Sequence, residues 1–293
     1  MNRIGLVTVL YNSDEVLPDF FSSLAAQTCK ETILYIIDNS PSEKTDAVLD
    51  HYRQQYPQME QRYLRSEDNI GVAAGNNRGI HAALTDGCSH VLLLNNDIKI
   101  EQPELIADML RLSLDKGEPI IVPKILYYSS RLVWMAGGWM DTWRGLGVHF
   151  GDGKPDGPAY AQSKHITYAP TCFMLIDKKV FSDTGFMDEK YFAYYDDTDF
   201  VYRALQNGHT MYYESSLCVL HKVSSSAGVD SPFYVYYSNR NKLYFIKKNF
   251  KGLHKWFGLF YTFVSRIAFW LKYDKVRKKK LVQGLKDGIK LKP

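Results

Sequence analysis

The sequence predicts an α/β protein whose central, mostly parallel sheet is flanked by helices. Three short runs, at residues 3–10, 32–37 and 91–94, are almost wholly apolar and then stop at polar residues. Runs of this kind are typical of strands buried on both faces. Because stretches with one apolar helical face separate them, the order strand, helix, strand, helix predicts a parallel sheet with right-handed crossovers.

Composition places the chain among ordinary globular proteins. Its 293 residues, 45% hydrophobic and 23% charged, suffice for one large α/β domain or two modest ones. Residues 4–10 are apolar but no small-residue cleavage site follows them, so we expect no secretion signal. The cysteines show no metal-binding or C-x-x-C spacing, which predicts reduced thiols in a cytosolic protein: Cys29, Cys88, Cys172 and Cys218.

The formal charge of +4 is unevenly distributed along the chain. Residues 272–293 carry nine Lys or Arg and two Asp, a net +7, and the residues before them carry a net −3. The basic character therefore belongs to the C-terminal tail. We expect no nucleic-acid binding by the main domain.

The elements of the first third alternate regularly. A helix is expected at residues 16–27, a second helix at 45–56 and a third strand at 61–64. The first of these helices has an apolar stripe formed by Val16, Leu17, Phe20, Phe21 and Leu24.

Polar residues follow the buried strands where each strand ends. Tyr11 and Asn12 follow the first strand, Asp38 follows the second, and residues 95–97, Asn-Asn-Asp, follow the run at 91–94. In an open parallel sheet, ligands bind beyond the carboxyl ends of the strands, so these side chains are expected at the mouth of a crevice. Asn and Asp are also the usual turn residues, and an ordinary polar turn explains any single exit equally well.

A glycine-rich turn at residues 69–79 enters a helix that continues through Ala83. Glycines here would let backbone amides approach a phosphate or a sugar at the helix N-terminus. The spacing matches neither the P-loop nor the dinucleotide-binding motif. A tight connection with small residues for packing is the alternative explanation.

Three carboxylates lie within four positions, at Asp196, Asp197 and Asp199. Like charges this close raise one another's pKa values and destabilise a fold, which favours a functional explanation. They also suit the N-terminus of a helix expected at 198–207, where the helix dipole favours acids. An i,i+4 ion pair between Asp199 and Arg203 is the simplest role for that pair.

Residues 124–165 are irregular and rich in glycine and tryptophan. This composition predicts an ordered loop region in which Trp139 and Trp143 either stack on sugar rings or fill the core.

The C-terminal region combines aromatic and basic residues. The apolar run at 256–271 is too short for a membrane span and includes Arg266. An interfacial helix on an anionic membrane surface is expected, because basic residues 277–280 follow the run. The competing explanation is a helix packed on the main domain or on a dimer partner. The stripe consists of Trp256, Leu259, Phe260, Phe263, Ile267 and Trp270.

Taken in order over residues 4 to 245, these features resemble glycosyltransferase family 2, the inverting transferases of the GT-A fold. The resemblance implies a Rossmann-like sheet, a catalytic domain at 1–250 and a helical extension at 251–293. Within the domain, 1–125 would form the nucleotide-binding half and 126–250 the acceptor-binding half. The matching segments are 9–12, 38–40, 69–71, 75–79, 95–97 in place of the D-x-D motif, 169–176, 185–189 and 191–200, with Arg203 and Gly208.

The resemblance implies sugar transfer from a nucleoside diphosphate, which needs charge neutralisation at the diphosphate and a base for the acceptor hydroxyl. Asp97 is then the ligand of Mg²⁺ or Mn²⁺, and His221 occupies the place of the second metal-contacting residue. Because asparagines precede Asp97, one carboxylate stands where the family has two, and the metal would depend heavily on the diphosphate. Asp197 is the acceptor-activating base.

The donor would lie along the strand ends. Asp38 is expected to accept the imide N–H of uracil or thymine, Tyr11 to pack on base or ribose, and Asn96 to bond the ribose. A guanidinium suits phosphate oxygens, so Arg240 is either a donor-phosphate ligand or a surface arginine. The matching motifs add four further donor-site candidates: Asn12, Asn69, Gly71 and Asn76.

The Asn-Asn-Asp variant and the tail look most like bacterial rhamnosyltransferases of O-antigen and capsule assembly, which use dTDP-L-rhamnose. UDP-galactose, UDP-glucose and UDP-galactofuranose stay open. The expected acceptor is a lipid-linked or surface glycan at the cytoplasmic membrane face. A nucleotidyltransferase would need a glycine-rich basic loop, which residues 10–13 lack. Asp97, Asp197 and His221 together argue against a non-catalytic sugar-nucleotide-binding scaffold.

Overall fold

The computed structural model describes residues 2–41, 44–222 and 231–293. Four parallel strands form one half of its central sheet, in the order β4-β1-β2-β3, with helices as the connections. The predicted α/β architecture is confirmed. These elements are β1 (Ile4–Leu10), α1 (Leu17–Ala25), β2 (Thr32–Asp38), α2 (Lys44–Gln55), β3 (Glu60–Arg65), α3 (Gly71–Thr85) and β4 (His90–Leu94).

The other half of the sheet is mixed. One strand, β11 (Phe173–Asp177), lies antiparallel between β4 and β6 (Ile120–Tyr127). Strand β6 in turn pairs parallel with β12 (Tyr212–His221). The remaining short strands pair along the edge or form the separate β8–β9 hairpin. The elements are β5 (Ile98–Ile100), α4 (Leu105–Lys116), β6 (Ile120–Tyr127), β7 (Val133–Met135), β8 (Gly138–Asp141), β9 (Leu146–His149), β10 (Lys164–His165), β11 (Phe173–Asp177), α5 (Lys178–Thr184), α6 (Asp196–Gln206) and β12 (Tyr212–His221).

Two features of the secondary structure differ from the prediction and bear on the site. The region at 124–165 is not wholly loop, because β7, β8 and β9 lie within it. Helix α6 begins at Asp196, two residues earlier than expected, and this places all three carboxylates in its first turn.

The sheet register brings the strand exits to one edge. Leu10 at the end of β1 pairs with Asp38 at the end of β2. Asp97 lies between β4 and β5, and β12 ends at His221, which pairs with Ile98 of β5. Residues separated by more than 100 positions therefore meet at the carboxyl end of the sheet.

Three helices complete the chain: α7 (Pro232–Asn249), α8 (Gly252–Lys272) and α9 (Lys275–Lys290). Helix α9 packs on α7, and glycine is required at the crossing because a Cβ on Gly284 would lie 2.5 Å from the Tyr236 carbonyl oxygen. Lys247 of α7 caps the end of α9 by donating to the carbonyls of Gly288, Ile289 and Leu291. The division at residue 250 stays a prediction, and these contacts cross it.

Helix α8 presents its apolar stripe outward. Its buried residues are Gly258 and Thr262, whereas Trp256 is 71% exposed and Phe260 66%. Among the described residues, no helix combines the length and the apolarity needed to cross a membrane. The side chains predicted to form the apolar stripe of α8 are exposed, except Leu259, which is partly buried.

Candidate active site

Asp97 and His221 face each other at the carboxyl end of the sheet. The Nε2 atom of His221 lies 3.1 Å from Oδ1 of Asp97, and both residues are buried. The backbone holds them in register, since the amide of Lys222 donates to the Asp97 carbonyl. Trp134 of β7 covers the imidazole at a ring separation of 4.6 Å.

This pair fits a divalent cation. Although His221 Nε2 lies 3.1 Å from Asp97 Oδ1, the two atoms do not form a hydrogen bond, and among the described residues neither Asp97 Oδ1 nor His221 Nδ1 has a hydrogen-bond partner. Buried polar atoms without partners are rare and call for an explanation such as an ion. Within the same described ranges, no group of three or more His, Cys, Asp or Glu side chains is arranged to hold a metal. A cation at this pair would thus draw its other ligands from outside the protein.

Asp197 lies in the first turn of α6 with its two oxygens in different environments. Oδ1 accepts hydrogen bonds from the amide and the hydroxyl of Thr198, at 2.6 and 3.1 Å. Among the described residues, the hydrogen-bond donor to Oδ2 is the hydroxyl of Tyr168, at 3.4 Å. The contacts at Oδ1 fix the orientation of the carboxylate, and Oδ2 keeps the capacity to accept a proton.

Burial shifts the acidity of the first turn of α6. It raises the pKa of Asp197, and the bonds from Thr198 oppose the shift. Burial, with the neighbouring charge of Asp197, raises the pKa of Asp196 to about 8. Two adjacent carboxylates that resist ionisation together form a site suited to proton transfer near neutral pH.

Cys172 and Tyr168 belong to the site, although sequence reasoning assigned them no role. Burial, and then the charges of Asp97 and Asp197, raise the pKa of the Cys172 thiol. Cys172 therefore lies between the Asp97–His221 pair and the proposed proton acceptor Asp197 in its electrostatic surroundings, since the charges of Asp97 and Asp197 both act on its thiol. The only sequence signal was the run of small residues at 169–172, before β11.

Asp199, two residues after Asp197, has a structural environment. It is fully buried and accepts hydrogen bonds from Tyr191, Lys248 and Asn249 at 2.8 to 3.0 Å. The predicted i,i+4 pair with Arg203 is present at 2.7 Å. Arg203 also donates to two backbone carbonyls that precede α6, those of Thr184 and Phe186.

The segment before α6 is held in an unusual backbone conformation. Phe192, Tyr194 and Tyr195 have φ values of 64°, 62° and 68°, a region that such side chains rarely adopt. Gly71 packs against it: its own φ is 85°, and a Cβ there would lie 2.5 Å from the Phe192 carbonyl oxygen. The glycine-rich turn thus supports the loop that presents Asp197, a structural use of the glycine.

The donor-site candidates at the first two strand ends form a connected group. Tyr11 is 44% exposed, and the Asn12 amide donates to Ser40 Oγ at 2.9 Å. Asp38 is fully buried; Oδ1 accepts from the Ser40 amide at 2.8 Å and Oδ2 from the Tyr63 hydroxyl at 2.9 Å. Both oxygens of this carboxylate therefore have protein donors, and the contact of Asp38 with a nucleobase stays a prediction.

Three further asparagine candidates have protein partners. Asn96 donates to Ser13 Oγ, which ties the Asn-Asn-Asp turn to the end of β1. Asn69 accepts from the Gly71 amide at 3.0 Å. Asn76 is buried, with Nδ2 3.7 Å from Met187 Sδ. Their donor-binding roles stay predictions.

Arg240 has contacts that favour a different role from the predicted one. Its guanidinium donates to the carbonyls of Lys190 and Tyr191 and to Asn241 Oδ1. It also lies 4.7 Å from the ring centroid of Tyr237. Because these partners occupy Nε and Nη2, Arg240 ties α7 to the segment before α6, and its binding of donor phosphate stays a prediction without support from these contacts.

Trp139 and Trp143 do not fill the core, since they are 45% and 48% exposed. Trp143 packs edge-on against His254 and Phe257 of α8. The four cysteines are free, as predicted.

Comparisons with known proteins identify the family and the fold of the chain. Residues 6–185 match the family model described as glycosyl transferase family 2. The low-salt glycan biosynthesis hexosyltransferase Agl10 of Haloferax volcanii is 26% identical over 210 residues. That match covers 70% of this chain and 62% of the relative, so the chain spans less than two thirds of the relative's length.

Two solved structures share the fold. TarS of S. aureus superposes with a TM-score of 0.65 at 16% identity, covering 98% of this chain and 49% of that one. The mannosyltransferase PcManGT of Pyrobaculum calidifontis, in complex with GDP-Man and Mn²⁺, superposes with a TM-score of 0.60 at 10% identity, covering 98% and 86%. The predicted GT-A fold, with its helical C-terminal region, is confirmed.

Proposed function

Because this chain belongs to glycosyl transferase family 2, we propose that it is a metal-dependent, inverting hexosyltransferase. It moves a sugar from a nucleoside-diphosphate donor to a hydroxyl of a lipid-linked or cell-surface glycan. The observation that carries this proposal is the pairing of Asp97 with His221, whose facing atoms lie 3.1 Å apart, beside Cys172, whose thiol pKa is raised by burial and by the charges of both Asp97 and Asp197.

Asp97 and His221 are the proposed ligands of Mg²⁺ or Mn²⁺. A carboxylate oxygen suits both cations, and one imidazole nitrogen completes a site whose remaining ligands are diphosphate oxygens and water. The cation, when bound, supplies positive charge beside the departing diphosphate. Structures of PcManGT and GalNAc-T7 that contain Mn²⁺ support this choice of metal.

Asp197 is the proposed general base. Its Oδ2 accepts the proton of the acceptor hydroxyl while that oxygen attacks the anomeric carbon from the face opposite the diphosphate. The bond to the diphosphate breaks as the new glycosidic bond forms, so the anomeric configuration inverts. Burial raises the pKa of Asp197, which strengthens it as a proton acceptor.

Asp38 and Tyr11 are proposed to bind a pyrimidine nucleotide. A carboxylate oxygen suits the imide N–H of thymine or uracil, although Asp38 is fully buried, and the exposed ring of Tyr11 suits stacking. We propose dTDP-L-rhamnose as the first donor to test. A UDP-hexose or UDP-galactofuranose is the second candidate, which the TarS complex with UDP-GlcNAc supports by analogy.

Helix α8 is proposed to dock on an anionic membrane surface at its cytoplasmic face. Aromatic side chains such as Trp256 and Phe260 are exposed, and the basic helix α9 follows directly. Charge complementarity favours anionic lipid over a second protein copy as the partner of this face.

A panel of radiolabelled nucleotide sugars with Mn²⁺ tests the function. We expect one dTDP- or UDP-sugar to be transferred with inversion, read from the anomeric proton coupling of the product. Asp97→Ala should abolish transfer and Asp197→Asn should lower it by about 10²-fold or more, whereas exchange of the exposed carboxylate Asp183→Asn should leave transfer unchanged. Transfer that persists in EDTA, or a product of retained configuration, would contradict the proposal.

A further inference from the structure

Three cationic side chains converge between α7, α8 and the β8–β9 turn. We call Arg144, Lys242 and Arg266, with Tyr261, the cationic cluster. Lys242 of α7 is only 1% exposed, and its Nζ lies 5.1 Å from the ring centroid of Tyr261 of α8. Arg144 and Arg266 are half-buried.

The cluster has little negative charge to balance it. Arg144 pairs with Asp141, at 2.5 Å, and Arg266 bonds the neutral amide oxygen of Asn239. In the part of the chain that the structure describes, no carboxylate forms an ion pair with Lys242 or Arg266. One carboxylate thus faces three cations, and buried charge without a partner is costly.

The acidity of Lys242 reflects this imbalance. Burial, and then the charges of Arg266 and Arg144, lower its pKa to about 7 against the weaker opposing effect of Asp141. A fold gains nothing from gathering like charges around a buried amine. An anionic ligand would remove that cost.

The cluster lies against the segment that presents the base. The hydroxyl of Tyr195 donates to the Gly145 carbonyl, one residue from Arg144, at 3.2 Å. Burial raises the pKa of Tyr195, and the positive charge of Arg266 opposes that shift. Tyr195 precedes Asp196 and Asp197 directly.

We propose that the cationic cluster binds a phosphate group of the acceptor and so positions the acceptor hydroxyl at Asp197. Two guanidinium groups and an ammonium are the side chains that phosphate oxygens prefer. A phospholipid headgroup has the same phosphate chemistry, and soluble and membrane-bound probes distinguish the two sources. This inference rests on the proposed function, in which Asp197 marks the acceptor side.

NMR of the protein labelled with ¹³C at lysine Cε tests binding without any donor or metal. The Lys242 signal is identified by its loss in Lys242→Met. We expect inorganic phosphate to shift this signal and to raise its titration midpoint, since a bound anion stabilises the ammonium. Arg266→Gln should lower the affinity for phosphate by about tenfold or more, the scale of a lost charged hydrogen bond. The exposed lysine variant Lys179→Met should leave the response unchanged.

The source of the phosphate is resolved with two probes. A shift of the Lys242 signal by a soluble sugar 1-phosphate supports the acceptor assignment. A shift produced by phosphatidylglycerol vesicles and not by soluble phosphates would overturn it in favour of a headgroup. If saturating phosphate did not shift the Lys242 signal of the wild-type protein, the proposal that the cationic cluster binds phosphate would be wrong. Because this readout involves neither donor nor cation, its failure is distinct from a failure of sugar transfer.

Discussion

Two buried polar regions of this molecule differ in how completely they are bonded. At the α6–α7 interface, Asp199 receives donors from Tyr191, Arg203, Lys248 and Asn249, so both of its oxygens are satisfied. At the carboxyl end of the sheet, Asp97 faces His221 with Oδ1 lacking a hydrogen bond among the described residues. Both carboxylates are buried.

The difference separates structure from function. A saturated network rigidifies the fold, and its members stabilise one another. An unsaturated one keeps a cost that a ligand removes. Asp197 is closer to the second kind, since in the described ranges its Oδ2 accepts one long hydrogen bond, from the hydroxyl of Tyr168 at 3.4 Å. Substitutions in the two regions should therefore affect different quantities.

The largest expected effect is on turnover. Asp197→Asn should reduce kcat by about 10²-fold or more with donor affinity retained, because the amide cannot take the proton.

In the wild type, activity should rise with pH through the titration of the Asp196–Asp197 pair, at a higher pH than for an ordinary carboxylate, since burial raises both pKa values. Steady-state kinetics and donor titration measure these quantities. If Asp197→Asn turned over at a near-normal rate while Asp196→Asn was inactive, Asp196 and not Asp197 would be the general base.

The next effect is on stability. Asp199→Ala leaves Arg203 and Lys248 without their buried partner and should lower the free energy of unfolding by about 3–5 kcal/mol. Asp197→Asn, two residues away, removes a like charge from Asp196 and should leave stability equal or higher. Urea denaturation of both variants measures the contrast. A loss at Asp197 as large as that at Asp199 would end the distinction between the two regions.

A smaller effect is expected on membrane attachment. Deleting the whole tail would remove the contacts of α9 with α7, so the double variant Trp256→Ser and Phe260→Ser is the cleaner test. It should float less with anionic vesicles, and high salt should weaken attachment of the wild type because it screens the basic residues. The matched control is Leu114→Ser, an exposed apolar residue on α4. Wild-type protein that stays off anionic vesicles at low salt would show that α8 serves another purpose.

The parallel half of the sheet was predictable because its signals are local. Apolar runs such as 91–94 mark buried strands, and the polar residues after them mark the edge where ligands bind. The site pair Asp97 and His221 came from the family resemblance; their facing atoms lie 3.1 Å apart, and their role as metal ligands stays a prediction. The stripe on α8 was likewise readable from one helical period.

The remainder depends on contacts between distant positions. No local pattern shows that β11 enters the sheet antiparallel between β4 and β6. Asp199 looks like its neighbour Asp197 in sequence, and its donors Lys248 and Asn249 lie about 50 residues away. Arg240 suited a phosphate by its chemistry, whereas its actual partners are the carbonyls of Lys190 and Tyr191.

The central claim, that His221 and Asp97 hold a cation for the donor, is tested most directly by pulsed EPR of Mn²⁺ bound in the presence of UDP or dTDP. We predict ¹⁴N coupling from one imidazole, lost in His221→Gln and kept in His149→Gln, whose ring packs on the same Trp134. Asp97→Ala should lose the bound Mn²⁺ signal at the same concentrations. Mn²⁺ without nitrogen coupling in the wild type, or coupling that survives His221→Gln, would contradict the account.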